Sequence, residues 1–168
     1  FLTFVWRPNK LYRNEGSNRF VDVTEETGIG TWPGMDKGEH APVTHEAVWF
    51  DFDRDGLLDV YIGNFGSWPD RKSPDLGIDN RSGPPNQLFH HRSDGKRHWF
   101  EDVTETQGVG DRGWTHCVGV HDYDQDGWPD IFSMNDFGIS RVYRNLGNKK
   151  GKRFEEVSTS TGFNLPVN

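Results

Sequence analysis

Two short acidic segments have the residue types and the spacing of a calcium-binding loop. Each reads Asp-x-Asp-x-Asp-Gly-x-x-Asp, and we name them loop 1 (51–59) and loop 2 (122–130). Ca²⁺ takes about six to eight oxygen ligands, and carboxylates at alternate positions around a glycine bend can direct several of them at one ion. We therefore expect two Ca²⁺ sites. The predicted ligands are Asp51, Asp53, Asp55, Asp59 and the Leu57 carbonyl in loop 1, and Asp122, Asp124, Asp126, Asp130 and the Trp128 carbonyl in loop 2.

Other acidic loops must be weighed against this interpretation. An EF-hand opens in the same way, but it carries a bidentate Glu at position 12 and is flanked by helices. Position 12 is Ile62 in loop 1 and Ser133 in loop 2, and the residues after loop 1 are β-branched and aromatic. These features favour loops within β-hairpins. The alternative is a solvated acidic turn that binds nothing, which four neighbouring carboxylates disfavour because they repel one another without a counter-ion.

The acidic loops are part of a longer internal repeat. Residues 44–59 align with residues 115–130 without a gap, and a strand-like stretch follows each copy. A second motif, which ends in Phe-x-(Asp/Glu)-Val-(Thr/Ser), occurs three times and alternates with the first. Apolar residues alternate with period two between turn residues, so one unit predicts four strands. They fall near 45–52, 59–65, 86–92 and 98–105.

Four-stranded units repeated along a chain are typical of β-propeller blades. The composition agrees, because two Ala against 20 Gly and 9 Pro in 168 residues disfavours helices. We predict an all-β protein of about two and a half blades, each of four antiparallel strands. The predicted divisions are a partial blade at 1–30, a complete blade at 31–110 with an insertion at 66–85, and a second blade at 111–168. Because a propeller closes with about four to eight blades, we expect an incomplete propeller, either a fragment or a chain completed by other polypeptide.

These motifs resemble the FG-GAP or VCBS repeat family, whose integrin-like propellers carry the same calcium loop between the first two strands of a blade. The segments 11–16 and 20–24 are most similar to the subgroup of cartilage acidic protein and of the repeats that precede UnbV-type domains. The resemblance implies a secreted, periplasmic or cell-surface location. Two features depart from the pattern. His90-His91 replaces an Arg-Asn pair, and the insertion 66–85 separates strands that a short turn joins in the next blade.

Charge and hydropathy narrow the classes of partner. The chain has 26 acidic against 19 basic residues and a formal net charge of −7, which argues against a nucleic-acid partner. No run approaches the roughly 18 apolar residues of a transmembrane helix. Cys117 stands alone and forms no intrachain disulfide, so we expect a small buried hydrophobic residue there.

Several other residues are candidates for a site. His45 and His116 occupy equivalent positions before the first strands of successive blades, either as transition-metal ligands at a channel or, as we favour, as local hydrogen-bonding groups. We expect Trp49, Trp99 and Trp114 in the core, and Trp32 and Trp68 in exposed Gly/Pro-rich loops. Asn80-Arg81-Ser82 has the form of a glycosylation site.

Together these features predict a non-catalytic, calcium-binding propeller module that acts as a structural or protein-interaction part of a larger extracellular or surface assembly. We find no nucleophile or phosphate-loop motif in the sequence. The first alternative is a carbohydrate-binding, lectin-like propeller or an accessory part of a polysaccharide-active enzyme, in which Trp32, Trp68 and the insertion stack on a glycan. A second is a part of an enzyme whose catalytic residues lie outside this chain.

Overall fold

The computed structural model describes residues 1–4, 7–30, 42–67, 79–147 and 151–163. Within these ranges the chain forms ten strands in three antiparallel sheets and two single-turn helices. The elements are β1 (Tyr12–Asn14), β2 (Phe20–Asp22), α1 (Thr24–Thr27), β3 (Pro42–Phe50), β4 (Asp59–Ser67), β5 (Gln87–Ser93), β6 (His98–Asp102), α2 (Thr104–Gln107), β7 (Thr115–His121), β8 (Asp130–Asn135), β9 (Arg141–Asn145) and β10 (Phe154–Glu156).

Two of the sheets are four-stranded meanders. The strand order is β3-β4-β5-β6 in the first blade and β7-β8-β9-β10 in the second, so each strand pairs with its neighbours in sequence. The third sheet is the pair β1-β2. This is the architecture of a partial β-propeller, and the predicted all-β class is confirmed. The positions of the divisions between blades stay a prediction.

Three equivalent hydrogen bonds explain the motif that occurs three times. Each copy of the motif begins at an apolar residue and ends at a Thr or Ser. The hydroxyl of that Thr or Ser accepts a hydrogen bond from the backbone N–H of the first residue, at 2.9 Å in all three copies. The pairs are Thr24 with Leu11, Thr104 with Leu88, and Ser158 with Val142. The Val before each hydroxyl residue donates its N–H to the carbonyl of the same first residue, again at 2.9 Å. The β1-β2 sheet is therefore built as the outer half of a blade.

The period-two pattern of the strands separates two cores. In β4, the side chain of Tyr61 is buried between the two four-stranded sheets, whereas Val60 and Ile62 are buried on the opposite face with Ile29 and Phe89. The core between the two blades also contains ring systems from several elements, among them Phe50, Phe52, Tyr143 and Phe154. Burial of both faces of β4 explains its run of three consecutive apolar residues, Val60–Ile62.

The predicted outer strand of the first blade extended too far. A strand was expected to residue 105, but β6 ends at Asp102 and a helical turn begins at Thr104. The Asp102 Oδ1 atom accepts hydrogen bonds from the Thr104 N–H, at 3.0 Å, and from its hydroxyl. Asp22 makes the same two bonds to Thr24. When an aspartate side chain accepts the backbone N–H of the residue two positions later, that N–H no longer bonds to a neighbouring strand, and the strand ends there.

The first residues of the chain and the insertion are described in part. In the partial blade predicted at 1–30, Leu2 makes an isolated bridge to Lys10 among the described residues, and Val5 lies outside them. The insertion begins inside β4 with Gly66 and Ser67, and 79–85 return along the second blade, whereas 68–78 lie outside the described residues. No helix among the described residues has the length and apolar character to cross a membrane.

Candidate metal centres

Each acidic loop connects the first two strands of its blade, β3 to β4 for loop 1 and β7 to β8 for loop 2. The two loops turn in the same way. Arg54 and Gly56 have φ values of 60° and 87°, and Gln125 and Gly127, at the same two loop positions, have 59° and 90°. Two left-handed residues within three positions reverse the chain tightly and draw the alternate aspartates toward its inner side.

Backbone N–H groups hold the first and last carboxylates of loop 1. Asp51 accepts hydrogen bonds from the N–H groups of Asp55 and Gly56, at 3.1 and 2.9 Å. Asp59 is fully buried and accepts from Phe52 at 3.0 Å and from His91, on β5, at 2.8 Å. Asp59 therefore fastens the loop to the second and third strands of the blade.

Loop 2 repeats this arrangement, with different residues supplying the backbone N–H groups. Asp122 accepts a hydrogen bond from the Gly127 N–H at 2.9 Å. The buried Asp130 accepts from the Tyr123 N–H at 3.0 Å and from the Asn145 N–H, on β9, at 2.8 Å. The last aspartate of each loop thus has the same position and the same kind of partners in both blades.

The carboxylates of each loop converge. One oxygen from each of Asp51, Asp53 and Asp59 lies within 4.8 Å of the others, and Asp122, Asp124 and Asp130 form the equivalent trio. Asp53 Oδ1 and Asp122 Oδ1 are buried and accept no hydrogen bond from the described residues. Buried carboxylate oxygens that lack a hydrogen-bond donor are the groups that a hard cation satisfies, so both loops fit Ca²⁺ by donor type and by orientation.

Not every predicted ligand joins a trio. Asp55 instead lies with Asp53 and His90, in a second group whose ligand atoms are within 4.8 Å of one another. Asp126 accepts the Trp128 N–H at 3.0 Å and lies 3.2 Å from the Arg144 guanidinium. Leu57 donates its N–H to Asp55 at 2.8 Å. The Leu57 and Trp128 carbonyls stay predicted ligands.

Burial changes the acidity of the last aspartate in each loop. Burial raises the pKa of Asp59 to about 7. The hydrogen bonds from His91 and Phe52 lower this pKa, and the charges of Asp53 and Asp55 raise it. Burial also raises the pKa of Asp130. A buried carboxylate with such neighbours requires a proton or a cation, and a metal ion supplies the cation without displacing the backbone donors.

Sequence reasoning missed a contribution from the third strand of each blade. His90 on β5 and Arg144 on β9 are equivalent in the repeat, and both lie against the acidic loop of their own blade. His90 Nε2 is 3.2 Å from Asp53 Oδ2, and Arg144 Nε is 2.6 Å from Asp124 Oδ2. The signal was present in the aligned repeats, where this position holds Arg, His and Arg.

The structure brings His45 and His116 together, although they belong to different blades. Each is the extra residue of a β-bulge, because the register with the partner strand shifts around it. Their Nδ1 atoms are 3.0 Å apart, and the His45 ring stacks on Phe65 at 4.4 Å. The distance is that of a hydrogen bond, but it joins two blades, whereas the favoured expectation was a local bond within each histidine's own blade. Metal binding by this pair stays a prediction.

The remaining candidates divide between core and surface. Trp49 is half-buried and Trp114 is buried, but Trp99 is exposed on the edge strand β6, so its expected place in the core was wrong. Asn80 is buried and accepts bonds from the Ser82 N–H and hydroxyl, so it does not present the exposed amide that glycosylation needs. Trp32 and Trp68 lie outside the described residues.

Cys117 is half-buried rather than fully buried. A hydrogen bond with Glu46 and, secondarily, burial raise the pKa of its thiol. A raised pKa keeps the sulfur protonated, so Cys117 is not an activated nucleophile.

Comparison with known proteins agrees with the geometry of the loops. Residues 51–133, from the start of loop 1 into β8, match the FG-GAP-like repeat. Cartilage acidic protein 1 of Homo sapiens is 35% identical over 97 residues, which cover 55% of this chain and 13% of that protein. The chain thus spans about an eighth of its relative's length. The resemblance of the motifs to the FG-GAP-like repeat is confirmed by this match over residues 51–133.

Proposed function

We propose that this chain is a calcium-binding propeller module that holds a protein-interaction surface in shape. The observation that carries the proposal is the pair of convergent carboxylate trios, one in each blade, each with a buried oxygen that lacks a donor among the described residues. The same geometry in two repeats supports a common ligand rather than a chance cluster of acidic residues. Several carboxylate donors around an irregular loop favour Ca²⁺ over Mg²⁺, which demands a stricter octahedral geometry.

The role of the metal follows from what each loop contacts. Asp59 reaches β5 and Asp130 reaches β9, so an ion bound at either loop fixes three strands of a blade at once. A metal that binds the folded chain and not the unfolded chain stabilises the fold by mass action. Calcium is therefore structural in this proposal, and the module is non-catalytic.

The proposed location and partners rest on the calcium affinity of similar modules and on the similar human protein. Extracellular calcium modules bind with dissociation constants of about 10⁻⁴ to 10⁻³ M, which the calcium concentration outside cells satisfies. The human relative is named for cartilage. We therefore place this chain in a secreted, periplasmic or cell-surface setting, where the propeller presents its loops to a protein partner or a larger assembly.

Calcium titration of the 168-residue chain tests the proposal. Calorimetry should give two sites, and a hundredfold excess over Kd should stabilise the fold by about 2.7 kcal/mol for each site. Asp53→Asn and Asp124→Asn should each remove one site, whereas Glu155→Gln, an exposed acidic residue on β10, should leave both. The absence of heat and of any rise in melting temperature at millimolar calcium would show that the loops are solvated turns.

A further inference from the structure

The two acidic loops face different groups from the third strand of their blades. Loop 1 faces the imidazole of His90, and loop 2 faces the guanidinium of Arg144. An imidazole nitrogen can offer a lone pair to a metal, but a guanidinium offers none and carries a permanent positive charge. The two loops, otherwise built alike, therefore differ in what they present to an ion.

His90 is placed as a metal ligand. Its side chain is 5% exposed, and its Nε2 atom lies 3.2 Å from Asp53 Oδ2 and 3.7 Å from Asp55 Oδ2. Two ligands on one transition ion, each about 2.1 Å from it, are separated by about 3.0 Å at a right angle and about 4.2 Å when opposite. Both distances fall within that range.

The hydrogen bonding around His90 leaves its Nε2 atom and an oxygen of Asp53 without partners among the described residues. Neither His90 Nε2 nor Asp53 Oδ1 makes a hydrogen bond of acceptable geometry with the described residues, although both atoms are buried. The Nε2 atom is also 4.0 Å from Asp59 Oδ1, and the Phe52 ring packs against the imidazole with centroids 4.9 Å apart. A buried, unpaired nitrogen that faces three carboxylates, on an imidazole held by an aromatic ring, has the position of a metal ligand.

Positive charge near loop 1 is more distant than in loop 2. Arg153 Nη2 is 3.9 Å from Asp53 Oδ2, and its guanidinium also contacts the Gly147 carbonyl at 3.3 Å. In loop 2, by contrast, Arg144 lies 2.6 Å from Asp124 and 3.2 Å from Asp126. Two carboxylates of loop 2 are thus already neutralised in part, whereas those of loop 1 face a nitrogen donor.

We propose that loop 1 binds a divalent first-row transition ion through His90 Nε2, Asp53 and Asp55, whereas loop 2 binds through oxygen alone. This inference rests on the proposed function, because it takes both loops as metal sites and distinguishes them. Imidazole suits zinc, nickel, iron and copper, while carboxylates alone suit calcium and manganese. A mixed donor set therefore gives loop 1 a preference for ions such as zinc, nickel, iron and copper that loop 2 lacks.

Mn²⁺ is the probe for the test, because it occupies oxygen-rich calcium sites and also accepts imidazole. Pulsed electron paramagnetic resonance reports a nitrogen nucleus bound to the ion. The wild-type chain should bind two Mn²⁺ ions, of which one shows nitrogen coupling. His90→Asn should remove that coupling and lower Mn²⁺ affinity at loop 1 by at least about 10- to 100-fold, the loss found when a group that only orients a ligand is removed.

The second blade supplies the reciprocal experiment. Arg144→His places an imidazole beside loop 2 and should add a second nitrogen-coupled Mn²⁺, a gain that holds even if His90→Asn is poorly folded. His98→Gln is the control for exposed imidazoles, since His98 contacts His91 at 2.9 Å on the surface, and it should change nothing.

Two failures are distinguishable. Two bound Mn²⁺ ions without nitrogen coupling, or coupling that survives His90→Asn, would overturn the role of His90 and leave the calcium proposal intact. Nitrogen coupling that depends on His90, in a chain that gives no heat with calcium, would support the transition-metal site and reject the calcium function.

Discussion

The side-chain amide of Asn145 donates a hydrogen bond to the carbonyl of Phe52 at 2.9 Å, although 93 residues separate the two. Asn145 lies at the end of β9, and Phe52 lies inside loop 1. The Asn145 backbone N–H also donates to Asp130, the last aspartate of loop 2. One buried residue of the second blade therefore contacts both acidic loops.

Asn145→Ala should destabilise the chain by about 1–3 kcal/mol, because it leaves the buried Phe52 carbonyl without its donor. Asn14 is the equivalent residue of the half-blade, but it is exposed, and its Oδ1 accepts a bond from Gly16 within its own turn. Asn14→Ala should cost less than about 0.5 kcal/mol. Urea denaturation of both variants in EDTA gives the comparison, and equal losses would refute the link between the loops.

The left-handed glycines of the loops should resist substitution. Gly56→Ala forces a Cβ onto φ of 87°, although no atom lies within 4 Å of the new carbon, so the expected cost of about 1–2 kcal/mol is backbone strain alone. Gly119→Ala, in β7, meets Phe132 at an ordinary 4.0 Å and needs no positive φ, so it should be neutral or slightly stabilising. Thermal melts that show the reverse order would exclude strain as the constraint.

The contact between His45 and His116 should make stability depend on pH. Burial, together with the charge of His116, lowers the pKa of His45 below its usual 6.5, while Asp136 opposes the shift. The unfolded chain therefore binds a proton at His45 at higher pH than the folded chain does, and the contribution of His45 to the free energy of unfolding falls as the pH drops below about 6.5. The raised pKa of Asp59 contributes with the opposite sign, so the variant is compared with the wild type at each pH.

His45→Gln should flatten this dependence between pH 7.5 and 5.5. His121→Gln removes an exposed histidine near the end of the same strand as His116 and should keep the slope of the wild type. Both are measured by denaturant unfolding in EDTA, so that metal binding does not enter. Parallel profiles for wild type and His45→Gln would show that the imidazole titrates as in the unfolded chain.

Replacing the buried, ion-paired Arg141 should cost more stability than replacing the exposed, ion-paired Arg92. Arg141 is buried on β9, its Nε is 3.3 Å from the buried Asp111, and it bonds to Asp79 of the insertion. Arg141→Gln leaves Asp111 charged and unpaired, for a loss of about 3–5 kcal/mol. Arg92→Gln breaks an exposed pair with Glu101 and should cost at most about 1 kcal/mol. Comparable denaturation midpoints for the two variants would contradict this difference.

The features that the sequence predicted are the local ones. The loop spacing from Asp51 to Asp59 and the period-two pattern of the first strands follow from a tight turn and a pleated strand, which need no tertiary information. Where a strand ends is less visible, since β6 ends at Asp102 through a bond from its own side chain to Thr104.

Contacts that depend on register or on packing between blades were beyond sequence reasoning. His90 and Arg144 reach the loops because the third strand pairs with the second at a particular register. His45 and His116 meet because two bulges occur at the same place in adjacent blades. The exposure of Trp99 depends on β6 being an edge strand, which pairs with β5 and has no second neighbouring strand among the described residues.

The backbone donors that hold Asp59 and Asp130 have a consequence for how such repeats diverge. Main-chain N–H groups are supplied whatever the side chain, so His91 and Asn145 perform the same task in successive copies. The side chain at the neighbouring position, His90 or Arg144, is therefore not needed to hold the last aspartate of the loop. A substitution at this position in one repeat can therefore change the chemistry of its loop without changing the loop in the other repeat.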